Sequence, residues 1–245
     1  MQVIRSNKLA CLFLLLAFAL LSAVILIVSA TRGDPPRERR VISPRQSAPS
    51  RRTYYLLTGI PQNGTALGDP GAPVTLQFFG DLQCRDSRQV MLGALPALIR
   101  RFVRPGKLRI IYRSLETDTK NAGGLVEFME QQGAALAAGR QDKLWNFIDV
   151  FYREQGPEFT GYVNESYLHQ IAVQAGLELV RWQKAREPVW RWEKSLEGDK
   201  ALRVAAGIDS TPSFLIGRTG GPSYRLLHFG FEEPAVFEEA IQELL

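Results

Sequence analysis

The sequence predicts an α/β domain with a block of helices set inside it, and three observations carry that reading. A run of strand formers at residues 74–79, VTLQFF, closes on Gly80. A helical pattern follows, with Met91, Leu95, Leu98 and Phe102 at spacings of four, three and four. A second strand candidate, residues 108–113, completes a strand, helix, strand order, which is a βαβ unit. The helical period then returns and holds from about residue 121 to 200, before a hairpin and a closing helix.

Each element has its own signature. Residues 57–73 are dense in Gly, Pro and Asn-Gly and predict a short strand followed by a surface loop. Pro96 falls inside the first helix and predicts a kink, because it lacks an N–H and crowds the preceding turn. Three apolar stripes mark the helical block: Leu125, Phe128 and Met129; Leu144, Phe147, Ile148 and Phe151; Leu168, Ile171, Ala172 and Ala175. Residues 213–216 and 224–228 form strand candidates joined at Gly220-Gly221-Pro222, and Val236, Phe237, Ala240, Ile241 and Leu244 share one side of the last helix. The tryptophans at 145, 182, 190 and 192 sit on amphipathic helices and predict core positions, while His169 and His228 predict ordinary polar sites.

The ends of the chain read differently. Leu9 to Ala30 is an uncharged apolar run of 22 residues, long enough at about 1.5 Å per residue to cross a bilayer core. It predicts an N-terminal transmembrane anchor over residues 1–30, with a cleaved signal peptide as the alternative. Residues 31–53, with four Pro and seven Arg, predict an extended linker, and the folded domain is placed at 54–245. Charge follows the same division. The net +5 comes from 30 bases and 25 acids; removing the nine bases and two acids of residues 1–53 leaves 21 and 23. The domain itself is slightly acidic, so the basic excess points to a membrane surface as partner and not to nucleic acid. With Cys11 and Cys84 as the only cysteines and two histidines, the chain cannot build a disulfide scaffold or a Cys- or His-rich metal centre, and no cofactor or metal is expected.

Cys84 is the residue that carries chemistry. It follows the first strand by five residues and opens the helical pattern, which places its thiol at a helix N-terminus. Peptide amides there favour thiolate, as would Arg85 and Arg88, while Asp86 opposes it; the balance predicts a pKa of roughly 6 to 8. Ser87, one turn on, is placed to donate a hydrogen bond to the sulfur, and Asp81 is a candidate proton acceptor or simply a loop acid.

Four stretches, GIPQNGTALGDPGAPVTLQFFGDLQC (59–84), DKLWNFIDVFYREQ (142–155), YLHQIAVQAGL (167–177) and AAGIDSTPSFLIG (205–217), occur in an order and spacing that resembles the DsbA-like branch of the thioredoxin superfamily. That resemblance implies a thioredoxin fold with an all-helical insertion at about 121–200, on the extracytoplasmic side of a single-pass anchor. It implies a Cys-X-X-Cys site at the helix start, facing a cis proline. Thr211-Pro212 matches the second element and becomes the candidate substrate-binding pair. The first element departs: the sequence reads Cys84-Arg85-Asp86-Ser87, so the resolving position is a serine. Ser87 cannot store an oxidising equivalent as an internal disulfide. The resemblance therefore implies exchange through a single thiol, with isomerase, reductase or thiol-capping character. Its partners would be polypeptides bearing thiols or disulfides, together with an external thiol or a membrane redox partner. A polypeptide-binding module without catalysis is the alternative. A glutathione transferase of the related kappa class is a more distant one.

Overall fold

The structure, a computed structural model, describes residues 50–122, 124–186, 192–227 and 234–245. The apolar run at 9–30, Cys11, most of the linker, Trp190 and His228 lie outside the described residues. Among the described residues no helix is long and apolar enough to cross a membrane.

The sheet explains the rest of the architecture. Its strands are β1 (Gln62–Asn63), β2 (Ala66–Leu67), β3 (Val74–Gly80), β4 (Leu108–Ser114), β5 (Ser213–Arg218) and β6 (Arg225–Leu227), in the spatial order β1-β2-β4-β3-β5-β6. Every residue of β3 is buried, as a central strand covered on both faces requires. It pairs parallel with β4, from Val74 with Leu108 to Gly80 with Ser114, and antiparallel with β5. A parallel pair needs a crossover, and the helical residues 85–103 supply it. Along β3 the side chains alternate between layers. Val74, Leu76 and Phe78 enter the main core, whereas Phe79 enters a smaller cluster with Leu115, Ile208 and Leu215.

The helices are α1 (Arg51–Leu57), α2 (Arg85–Leu92), α3 (Ala94–Leu98), a π-helical turn (Ile99–Val103), α4 (Thr119–Ala122), α5 (Gly124–Gly139), α6 (Leu144–Arg153), α7 (Glu165–Gln174), α8 (Leu179–Arg186), α9 (Glu193–Ala205) and α10 (Pro234–Gln242). The Met91, Leu95, Leu98 and Phe102 stripe faces the main core, as do Leu144, Phe147, Ile148 and Phe151 on α6. The crossover breaks at Gly93, three residues before Pro96. Pro96 has no N–H to give the Leu92 carbonyl and would collide with it, so the break falls one turn upstream of the ring.

Several expectations are corrected. Residues 57–73 hold a tight β1–β2 hairpin, and α1 takes in Arg51, Arg52 and Thr53, which the composition had assigned to the linker. Thr53 is buried and its hydroxyl donates to Asp149 Oδ2, so a tertiary contact fixes a stretch whose arginines read as spacer. Leu125 is 61% exposed and leaves the stripe it was placed in. Trp145, Trp182 and Trp192 are buried core residues, with indole N–H donors given to the carbonyls of Thr65, Ala134 and Arg186.

Candidate functional site

The site begins where β3 ends. A side chain at Gly80 would put a Cβ 2.9 Å from Tyr152 Oη and 3.1 Å from the ring of Tyr112, so only glycine admits the two tyrosines. They use that proximity: Tyr112 Oη donates to the Gly80 carbonyl at 3.0 Å, and Tyr152 Oη to the Asp81 carbonyl at 3.1 Å. The Cys84 N–H also donates to the Asp81 carbonyl, and the Gln155 amide donates to the carbonyls of Leu82 and Cys84. Residues 81–84 are thus held by hydrogen bonds before the helix starts.

Cys84 is the N-cap of α2, with extended backbone angles, and its sulfur accepts the Ser87 N–H at 3.4 Å. On its other side the thiol donates to the Thr211 carbonyl, also at 3.4 Å. The Thr211–Pro212 bond is cis, so the two elements that the resemblance pairs lie in direct contact. Among the described residues the Thr211 N–H meets no hydrogen-bond acceptor.

The surroundings reverse the expected electrostatics. Cys84 is only 3% exposed, and burial pushes its thiol up from an ordinary 9.0 to about 11. The Thr211 side chain and the Ser87 N–H pull the other way but are weaker, and Asp118 adds to the rise. The pKa of roughly 6 to 8 is therefore corrected: loss of hydration outweighs the helix start. Arg85 is exposed with its N–H on Glu158 Oε1, the Arg88 guanidinium is spent on the Tyr152 carbonyl, and Asp86 is half-buried; none of the three governs the thiol.

Ser87 is fully buried, but the bond to sulfur comes from its backbone. Its hydroxyl lies beside the sulfur without a hydrogen-bond partner, and its influence on the thiol is the smallest of those acting. Asp81 is equally specific in another role. Its carboxylate accepts from the N–H groups of Gln83, Thr117 and Thr119, from the Thr119 hydroxyl and from the Gln131 amide. Those bonds occupy it, and it makes none to Cys84. It ties the Cys84 loop to residues 117–119 instead. Thr117 continues the connection, its hydroxyl 2.6 Å from that of Thr211. Asp81 thus positions the cis-proline loop over the thiol through one intermediate.

Sequence reasoning missed Thr117, Asp118 and the glutamine network. Gln83 donates to Glu127 and Gln131, and Gln132 accepts from Ser114 and Tyr112. The only available signal was polarity inside an otherwise apolar helix, in the pair Gln131-Gln132. Among the described residues no group of three or more His, Cys, Asp or Glu side chains is placed to hold a metal ion.

A family model described as Thioredoxin matches residues 61–220, well over half of the chain. The chain belongs to the thioredoxin superfamily. It is 24% identical over 158 residues to the probable disulfide bond formation protein D of Bacillus anthracis, a match covering 64% of this chain and 67% of that relative. Its fold is similar to oxidised BdbD from Bacillus subtilis, with a TM-score of 0.62 at 17% identity, covering 76% of this chain and 96% of that one. Similarity to alpha-DsbA1 from Wolbachia pipientis gives a TM-score of 0.60 at 20% identity over 77% and 92% of the two chains. For this thioredoxin-superfamily protein the fold supplies the frame, and the chemistry has to be argued from Cys84, Ser87 and Thr211.

Proposed function

We propose that the protein is a membrane-tethered, extracytoplasmic thiol-disulfide exchange protein working through the single thiol Cys84. The observation that carries the reading is the contact of Cys84 Sγ with both the Ser87 N–H and the Thr211 carbonyl, with a serine buried where a resolving thiol would stand. Tethering rests on the 22-residue apolar run, and the extracytoplasmic placement on the family.

The chemistry has two steps. The Cys84 thiol gives up its proton, and the thiolate attacks a substrate disulfide. One S–S bond breaks, a mixed disulfide forms, and the second substrate sulfur leaves as thiolate. Ser87 cannot displace the substrate, so an external thiol, or a second substrate thiol, attacks the mixed disulfide and returns Cys84. If a substrate thiol does this the net reaction is isomerisation; if external thiols do, it is reduction. An extended substrate segment would pair with the open Thr211 N–H in the manner of an added strand. Phe159, Leu125 and Val126 are exposed apolar residues next in sequence to Glu158 and Glu127, which bond to Arg85 and Gln83, and would offer such a segment apolar footing.

Burial of the thiol and its raised pKa favour a second reading, a polypeptide-binding module with an inert cysteine. Rearrangement of a scrambled disulfide protein with glutathione supplied separates the two. Exchange requires activity that Cys84→Ala abolishes, whereas equal rates in wild type and Cys84→Ala, with substrate still bound, establish the module.

A further inference from the structure

The crossover that starts at Cys84 ends beside a face of different chemistry. An open cleft of about 830 Å³ is lined by Arg52, Tyr54 and Tyr55 of α1, Pro96 of α3, and Arg100 and Arg104 beyond it, among others. Among the described residues no Asp or Glu lines this cleft. Its fourth arginine, Arg153, is neutralised by a two-point ion pair with buried Asp149. Arg52, Arg100 and Arg104 are exposed and, among the described residues, have no carboxylate partner. Arg104 donates to the carbonyls of Leu56 and Thr58, which fixes the C-terminal end of α1 and holds the two aromatic residues in place. Tyr54 and Tyr55 are 55% and 74% exposed and meet edge to face at 5.6 Å.

We propose that this face seats the domain on anionic phospholipid headgroups, with lipid phosphates at Arg52, Arg100 and Arg104 and the tyrosine rings at headgroup level. Three features select a lipid surface. The uncompensated positive charge is complementary to it and matches arginine's forked donors to phosphate oxygens. Exposed tyrosine is the side chain that membrane interfaces favour, with an apolar ring and a wet hydroxyl. Position in the chain agrees: Arg51 follows the end of the apolar run at Ala30 by 21 residues, a spacer short enough to keep this face within reach of the membrane. The inference rests on the membrane part of the proposed function and adds an orientation to it. Cys84 opens α2 while the cleft lies beyond its other end. Leu92, which lines the cleft, is about 12 Å from Cys84 along the helix at 1.5 Å per residue, so lipid seated at this face leaves the thiol uncovered.

Hydrogen exchange on the full chain in nanodiscs tests this. In discs containing phosphatidylglycerol, segments 51–58 and 96–106 should exchange severalfold more slowly than in pure phosphatidylcholine discs. The protection should vanish at about 0.5 M salt, where screening is short-ranged. Arg52→Gln with Arg100→Gln should weaken it by roughly fivefold per arginine, with an unchanged thermal midpoint. Equal exchange in the two disc types overturns the proposal, as does equal protection in phosphatidylcholine discs given inorganic phosphate, which would make the cleft a site for a soluble anion. Flotation with phosphatidylcholine vesicles at high salt reports the anchor separately. A chain that floats there but shows no lipid-dependent exchange keeps its anchor and loses this face; one that floats only with anionic vesicles at low salt keeps the face without the anchor.

Discussion

Raising the pH should activate Cys84 along a curve that its burial sets. With the thiol pushed from 9.0 to about 11, the thiolate fraction near pH 7 falls from about 1 in 100 to about 1 in 10,000. A more basic thiolate is also a better nucleophile, by about six- to tenfold for two pKa units, so exchange should run only roughly tenfold slower than at an ordinary cysteine. The poor leaving ability of the same sulfur, together with Ser87 at the resolving position, prolongs the mixed disulfide. Alkylation by iodoacetamide, followed by mass spectrometry, should therefore rise about tenfold per pH unit well past pH 9. Stability carries the same signature. The folded pKa lies above the unfolded one, so the contribution is fully present below about pH 9 and is lost as pH rises through 11, amounting to about 3 kcal/mol. Urea unfolding of wild type against Cys84→Ala isolates it from the buried tyrosines. An alkylation midpoint below about 8 would refute the reasoning, because the helix start would then dominate over burial.

Three further outcomes follow from the site. Ser87→Cys should form a disulfide with Cys84, since residues three apart on a helix start lie within bridging distance, and should confer oxidase activity on reduced, unfolded protein; a bridged but inactive variant would favour the binding module. Asp81→Ala strands the donors of Gln83, Thr117, Thr119 and Gln131 and should cost about 3–5 kcal/mol in urea unfolding, a loss under 1 kcal/mol contradicting its positioning role. Asp118→Asn removes a group that raises the Cys84 pKa, so alkylation near pH 7 should quicken, and a slower reaction would count against that influence.

The sequence makes local features legible and leaves balances hidden. A six-residue strand with five apolar or β-branched residues, a cysteine five positions later and a stripe at 91, 95, 98 and 102 sufficed to place the thiol at a helix start, because each is set by short-range periodicity. The order of elements, with the four matching stretches, gave the fold. Thr53 in α1 was not legible, since its helix is secured by Asp149, 96 residues away. Nor was the role of Asp81, which depends on partners at 117, 119 and 131. The thiol's pKa failed for a related reason: helix amides can be counted from position, whereas the burial that outweighs them is a property of the assembled core. Leu125 shows the converse, an apolar residue in helical register that the surrounding elements leave uncovered.

The central claim is that Cys84 exchanges disulfides and that Ser87 leaves the adduct unresolved. The direct measurement is mass spectrometry of the folded protein after exposure to a peptide carrying a disulfide to a good leaving thiol. The account predicts a peptide adduct at Cys84 that survives removal of excess peptide, is released by added glutathione, and in Ser87→Cys gives way rapidly to an internal disulfide. A folded protein that forms no adduct, while its unfolded chain does, would contradict it.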